Sequence, residues 1–188
     1  MTHIVSRLLQ PNEYQLEVLE IIKKQGFDDQ RIEYFGDWEI RNARFSLQMN
    51  KEITFLKCLL QQCDFSDLDT VAHSLYESNV IDSNFTKSRF RKSWFESCVF
   101  ENTDFSDTKF VNCHFKKVVF KNVSFDHTDL SDSSFRNCDL SQINLDTTLM
   151  WGAHFIDCIL SDRFLSFPGG KWQKGPNGEV FVVSNPER

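Results

Sequence analysis

The stretch Phe85–Phe125 reads FTKSR FRKSW FESCV FENTD FSDTK FVNCH FKKVV FKNVS F. Phenylalanine recurs at every fifth position: Phe85, Phe90, Phe95, Phe100, Phe105, Phe110, Phe115, Phe120 and Phe125. The frame continues forward as Leu130, Phe135, Leu140, Leu145, Met150, Phe155 and Leu160, and backward through Leu60, Phe55 and Phe45. A period of five suits neither a helix nor a plain strand, whose side chains repeat every 3.6 and 2 residues. It suits a chain that turns a corner every five residues, and internal repetition of this kind dictates the architecture. In an extended segment the central residue and the one two before it point the same way, so both face inward. The other three positions of each pentad meet solvent or form the corner.

The cysteines obey the same frame. Cys58, Cys63, Cys98, Cys113, Cys138 and Cys158 each stand two residues before a central Phe or Leu, in a slot filled elsewhere by Ser83, Ser88, Ser93, Thr103, Thr108, Ser133 and Ala153. Cysteine is therefore expected as a small buried filler rather than as a metal ligand or a disulfide partner, and no CxxC spacing occurs. Reduced cysteines suit a cytoplasmic setting, with a secreted effector as the alternative. The chain has 188 residues, 40% of them hydrophobic, with nineteen Phe against three Tyr, so the core favours rings without a hydroxyl. A net charge of −6 argues against direct nucleic-acid or acidic-membrane binding, and no stretch is long and apolar enough to span a bilayer.

Four pentads make a square coil of 20 residues, with coils stacked about 4.8 Å apart. Cys63-Asp-Phe-Ser-Asp67, Thr103-Asp-Phe-Ser-Asp107, Thr128-Asp-Leu-Ser-Asp132 and Cys138-Asp-Leu-Ser-Gln142 resemble the pentapeptide-repeat motif A(D/N)LXX. The resemblance implies a right-handed quadrilateral parallel β-helix, an all-β solenoid. The expected organisation is an N-terminal helical cap over residues 1–37, the β-helix over 38–165 and a C-terminal extension over 166–188. The cap rests on a helical pattern from Pro11 to Lys24 with Leu16, Leu19 and Ile22 on one face. The extension reads as a hairpin turning at Pro176-Asn177-Gly178, which could cap the solenoid or support a homodimer. One inward column starts badly, with Asn50 and Thr70 before Phe90, so a bulged wall is expected near Gln48–Glu52 and Leu68–Ala72.

No catalytic constellation, cofactor motif or metal-ligand spacing is present, so a non-enzymatic protein without cofactor is expected. His114 and His154 fall two coils apart in one outward column, too distant to share a metal. Charge divides the four walls. The first carries Asp64, Asp67, Asp104, Asp107, Asp126 and Asp146 against Arg44 and Lys87. The second carries Arg89, Arg91, Lys92 and Lys109, and the third Lys116, Lys117 and Arg136 with Trp94 and Tyr76. The fourth has the outward apolar residues Leu59, Ile81, Val99, Val119 and Ile159. Four distinct walls suit a docking surface for a protein partner. The family resemblance implies two outcomes. One is binding of DNA gyrase or topoisomerase IV by imitation of duplex DNA, as in quinolone-resistance members. The other is an effector or self-protection scaffold for an unrelated protein.

Overall fold

Residues 32–36, 38–45, 52–165 and 171–184 are described by the computed structural model. Strands separated by 20 residues lie side by side in parallel, with Phe35 opposite Phe55, Leu60 opposite Val80, Phe90 opposite Phe110 and Phe115 opposite Phe135. The fold is a parallel β-solenoid with four walls. The third wall is a nine-stranded sheet, the fourth has five strands and the second three. Single bridges join the coils of the first wall along Arg44, Asp64, Asn84, Asp104 and Ser124.

The pentad period works because the backbone makes the corner at one fixed position. Two residues after most central residues the chain enters the left-handed region, as at Asn42, Asp67, Asp107, Lys117 and Asp157, where φ lies between 52° and 59°. Asn and Asp tolerate that region best, and type II turns demand it. The N–H of the corner residue is satisfied by the carbonyl of the next coil, for example Asp107 to Asp126 at 2.9 Å and Lys117 to Arg136 at 2.9 Å. The Asn42 and Asp67 amides are satisfied in the same way, by Gln61 at 3.0 Å and Thr86 at 3.1 Å, as a ladder requires.

The core is built of rings. All nine phenylalanines from Phe85 to Phe125 are buried. Up the third wall they stack face to face, as Phe95 on Phe115 at 4.8 Å and 9° and Phe115 on Phe135 at 4.6 Å and 3°, while Phe85, Phe105 and Phe125 are tilted on one another. Around each coil they meet edge to face, as Phe105 with Phe110 at 5.3 Å and 78° and Phe110 with Phe115 at 5.3 Å and 80°. Both arrangements suit the ring quadrupole. A phenol hydroxyl would find no acceptor among these rings, which accounts for the bias against Tyr.

Two differences from the sequence reading follow. Leu68–Ala72 is not bulged: Asp69–Val71 is a regular strand, and Thr70 lies opposite Phe90 in register. Thr70 is buried, and its hydroxyl bonds the Nδ1 of His73, which occupies the small-residue slot three positions on. The imidazole fills the volume that threonine leaves, so the frame survives. The other expected bulge falls mostly on residues outside the described ones. The solenoid also reaches further back than residue 38, because Ile32–Gly36 pairs with Glu52–Leu56 inside the segment expected as a cap. The helical pattern at Pro11–Lys24 lies outside the described residues.

At the other end the repeat closes with a short helix, Asp162–Leu165, whose Phe164 packs on Phe155 at 5.4 Å. The hairpin Lys171–Lys174 and Val180–Ser184 then folds back, with its turn at Pro176–Gly178 and Gly178 at φ 84°. Its second strand runs antiparallel to His154–Ile156, pairing His154 with Phe181. Val180 and Val182 are buried by this, so the hairpin covers the open coil as a terminal repeat must be covered.

Candidate functional site: the four walls

The acidic wall is built from three outward slots, and two of them have a backbone reason to be acidic. In the slot before the central residue, Asp64 Oδ1 accepts the Ser66 N–H at 2.9 Å, and Asp104 Oδ1 accepts the Ser106 N–H at 2.8 Å and its hydroxyl at 2.6 Å. Asn84 holds Thr86 the same way at 2.9 Å. These are side chains that brace the corner. Asp67 and Asp107 stand at the left-handed corner itself, with φ 57° and 59°. Asp126 and Asp146, one residue after the central position, serve neither purpose.

Ion pairs thin the wall further. Asp64 pairs with Arg44 at 3.4 Å, and Asp146 with Arg163 of the terminal helix. Asp67, Asp104, Asp107 and Asp126 carry no ion pair among the described residues. Lys87 stands in the column between Asp67 and Asp107. Arg163 was not legible as a wall residue, because it lies outside the pentad frame and reaches Asp146 only once the chain has left the repeat.

On the second wall Arg91 is bound to Asp69 at 2.7 Å, while Arg89, Lys92 and Lys109 have no ion pair among the described residues. Lys109 lies directly over Arg89 in the ladder. On the third wall Lys116 pairs with Glu96 at 2.7 Å. Trp94 lies tilted on His114 at 4.2 Å, and His114 Nδ1 bonds the Ser134 hydroxyl at 2.7 Å. His154 meets Phe181 of the hairpin edge-on at 4.6 Å. Ser134 stands between the two histidines in the ladder, His154 is exposed, and partial burial lowers the His114 pKa. Trp151, exposed at the rim beside Gly152, had no place in the sequence reading of the walls.

The fourth wall is less continuous than its composition suggests. Val99 and Val119 are true neighbours, opposite each other in the ladder. Asn79 separates Val99 from Leu59, and Asp139 separates Val119 from Ile159. Ile81 lies in the other outward column, opposite Gln61 and Glu101. Asp139 is held below the usual carboxylate range by hydrogen bonds from the hydroxyl and N–H of Ser141.

Buried titratable groups are neutral. Burial pushes the Cys63, Cys98 and Cys113 thiols up to about 12. Burial likewise lowers His73 to about 4, with a bond to the Val71 carbonyl opposing it. Among the described residues no group of three His, Cys, Asp or Glu side chains is placed to hold a metal ion. Among them no helix is long and apolar enough to cross a membrane. The arrangement offers surfaces of fixed charge pattern on a rigid rod.

The family described as "Pentapeptide repeat region" matches residues 88–164. No curated protein matches the chain. Similar solved structures include a trypsin-treated form of QnrB1, a plasmid-mediated fluoroquinolone resistance protein, at 12% identity over 69% of this chain and 78% of that one, with a TM-score of 0.46. Rfr23, a pentapeptide repeat protein of the cyanobacterium Cyanothece, is 11% identical over 78% of this chain and 99% of its own, with a TM-score of 0.35. HetL, a pentapeptide repeat protein involved in heterocyst differentiation regulation in the cyanobacterium Nostoc, is 15% identical over 78% of this chain and 92% of its own, with a TM-score of 0.27.

Proposed function

We propose that this chain is a non-enzymatic protein-binding scaffold whose acidic wall docks on a basic groove, the DNA-holding groove of a type II topoisomerase being the partner that the family resemblance suggests. The observation that supports the reading is the set Asp67, Asp104, Asp107 and Asp126, which have no ion pair among the described residues and share one wall of the solenoid. Magnitude bounds the imitation. Duplex DNA carries one charge per 1.7 Å, or about 18 over a rod of about 30 Å. Four such carboxylates reproduce a fraction of that field. Steering between the two surfaces is accordingly strong at low salt and screened beyond about 8–10 Å in physiological salt.

The test uses substitutions that keep the corners intact. Asparagine retains the bracing acceptor and tolerates the left-handed corner, so Asp67→Asn, Asp104→Asn, Asp107→Asn and Asp126→Asn together remove charge without removing turns. Gyrase supercoiling is measured with and without a fluoroquinolone, adding the parent or the fourfold variant. Protection or inhibition by the parent that disappears in the variant supports docking through this wall. A parent without effect on gyrase and topoisomerase IV at micromolar concentration removes the topoisomerase reading.

A second reading has its own observation. Half-buried Val99 and Val119, which is 44% exposed, form an outward apolar pair on the fourth wall. A scaffold that docks an unrelated protein partner, as an effector or self-protection factor would, is the function this pair favours. Val99→Lys/Val119→Lys would abolish such binding and leave any effect on gyrase unchanged.

A further inference from the structure

Cysteine meets cysteine at one place among the stacked columns. The column before the fourth wall reads Trp38, Cys58, Ser78, Cys98, Val118, Cys138 and Cys158 from the first coil to the last. Cys63 stands between Ala43 and Ser83, and Cys113 between Ser93 and Ser133. All six are thiols in the structure. The last two are adjacent in the backbone ladder: Asp139 bridges Ile159, the Ile159 N–H donates to the Cys138 carbonyl at 3.0 Å, and the Leu140 N–H donates to the Ile159 carbonyl at 2.8 Å.

Ladder neighbours of this kind have Cα atoms about 4.8 Å apart, inside the 4.4–6.8 Å span of disulfides. The Cβ atoms must close to about 3.5–4.5 Å, which asks the last coil to shift by a few tenths of an ångström. Among the described residues that coil has no strand beyond it on the fourth wall, and Ile159 beside the pair is 60% exposed. The Cys138 thiol lies over the Phe115 and Arg136 carbonyls at 3.6 and 3.5 Å, and the Cys158 thiol over the Ile156 carbonyl at 3.4 Å, so both sulfurs sit in the same inward slot. Access is unequal: Cys138 is buried, whereas Cys158 is half-buried.

We propose that Cys138 and Cys158 form an oxidation site, at which a hydroperoxide converts the stacked thiols into an intramolecular disulfide linking the last two coils. Cys158 attacks. It is half-buried where Cys138 is buried, so its sulfur, as the thiolate, is the one a peroxide reaches. The thiolate sulfur takes the distal peroxide oxygen as the O–O bond breaks, giving a sulfenic acid and, for hydrogen peroxide, hydroxide. The Cys138 sulfur then attacks the Cys158 sulfur, the S–O bond breaks, and the proton of the Cys138 thiol leaves with the hydroxyl as water. Two thiols and one peroxide become one disulfide and two waters. Cys63, Cys98 and Cys113 have neither a cysteine stacked on them nor comparable access, and burial keeps them protonated. The inference is independent of which wall docks a partner.

The experiment exposes the full chain, freed of reductant, to a hydrogen peroxide dose that oxidises glutathione completely, quenches with N-ethylmaleimide and maps peptides without reduction. The expected result is loss of two thiols of six, with Cys138 and Cys158 peptides joined within one chain. Cys138→Ser, which installs a residue native to this column at position 78, should stop at a Cys158 sulfenic acid trapped by dimedone. Cys158→Ser should lower thiol loss at the same dose by about tenfold or more. Six surviving thiols, oxidation spread evenly over the cysteines, or a dimer linked through Cys158 would each overturn the proposal.

Discussion

The coil around Thr70 and the coils above it solve the same packing problem with different chemistry. From Phe85 to Phe125 every inward central slot holds a ring, and the slot two before it holds a small residue or Val118 or Val123. At Thr70 and His73 the sizes are exchanged between slots, and a hydroxyl–imidazole bond replaces a ring contact. The strand nevertheless stays in register with Arg89–Arg91. The backbone ladder and the left-handed corners hold the frame, and the core asks only that volume be filled and polar atoms be satisfied.

The largest effect should come from breaking the ring side of this comparison. Phe105→Ala should cost about 3–5 kcal/mol of stability in a denaturant titration, and Phe105→Asp should abolish soluble expression, because a lone carboxylate there has no partner. A Phe105→Asp chain that melts like the parent would mean that the five-residue frame is misplaced.

The polar side should show itself through pH. Folded His73 has its pKa lowered to about 4 from 6.5, so between those values the unfolded chain binds a proton that the folded chain does not. Stability is then fully present above about pH 6.5, falls with pH through that window, and is lost below about 4, with a limit on the order of 3 kcal/mol. His73→Ser, tested by melting between pH 7 and 4, should show a shallower fall than the parent. Equal slopes would place the imidazole in water.

A smaller effect tests the compensation itself. Thr70→Phe alone should overpack against His73 and destabilise by about 1–3 kcal/mol. Combined with His73→Ser it should recover most of that loss, because the pair then copies the coils above, and a double-mutant cycle measures the difference. Additive losses would mean that the two slots do not share volume.

The smallest effect concerns the corners that both regions share. Asp104→Ala should cost about 0.5–1.5 kcal/mol by removing the brace to Ser106, while Asp104→Asn should stay within about 0.5 kcal/mol. A cost equal for both would mean that charge, not the turn, is what the aspartate supplies.

The corner chemistry also explains how much of the candidate site could be read in advance. Asp64 and Asp104 were visible as acids of one wall, and the D-x-S pattern they share with Asp129 and Asp139 was visible too. Their second role as turn braces needed the bond to the serine N–H two residues on. Arg163 could not be assigned to the wall, since it sits on a helix after the repeat. The apolar wall looked continuous because composition by face ignores rows, and only the ladder shows Asn79 and Asp139 as its interruptions.

The sequence by itself determined the solenoid, its core and its walls, because a period of five couples each residue to a fixed face and a fixed neighbour 20 residues away. It also placed the C-terminal hairpin, through a Pro-Asn-Gly turn between two strand-like runs. Only the tertiary structure decided what happens where the period is broken or ends. The partner of Thr70, the reach of the first coil back to Ile32, the antiparallel closure by Phe181 and the unequal exposure of Cys138 and Cys158 all depend on contacts across coils. Such contacts arise from volume and hydrogen-bond demands that no local pattern records.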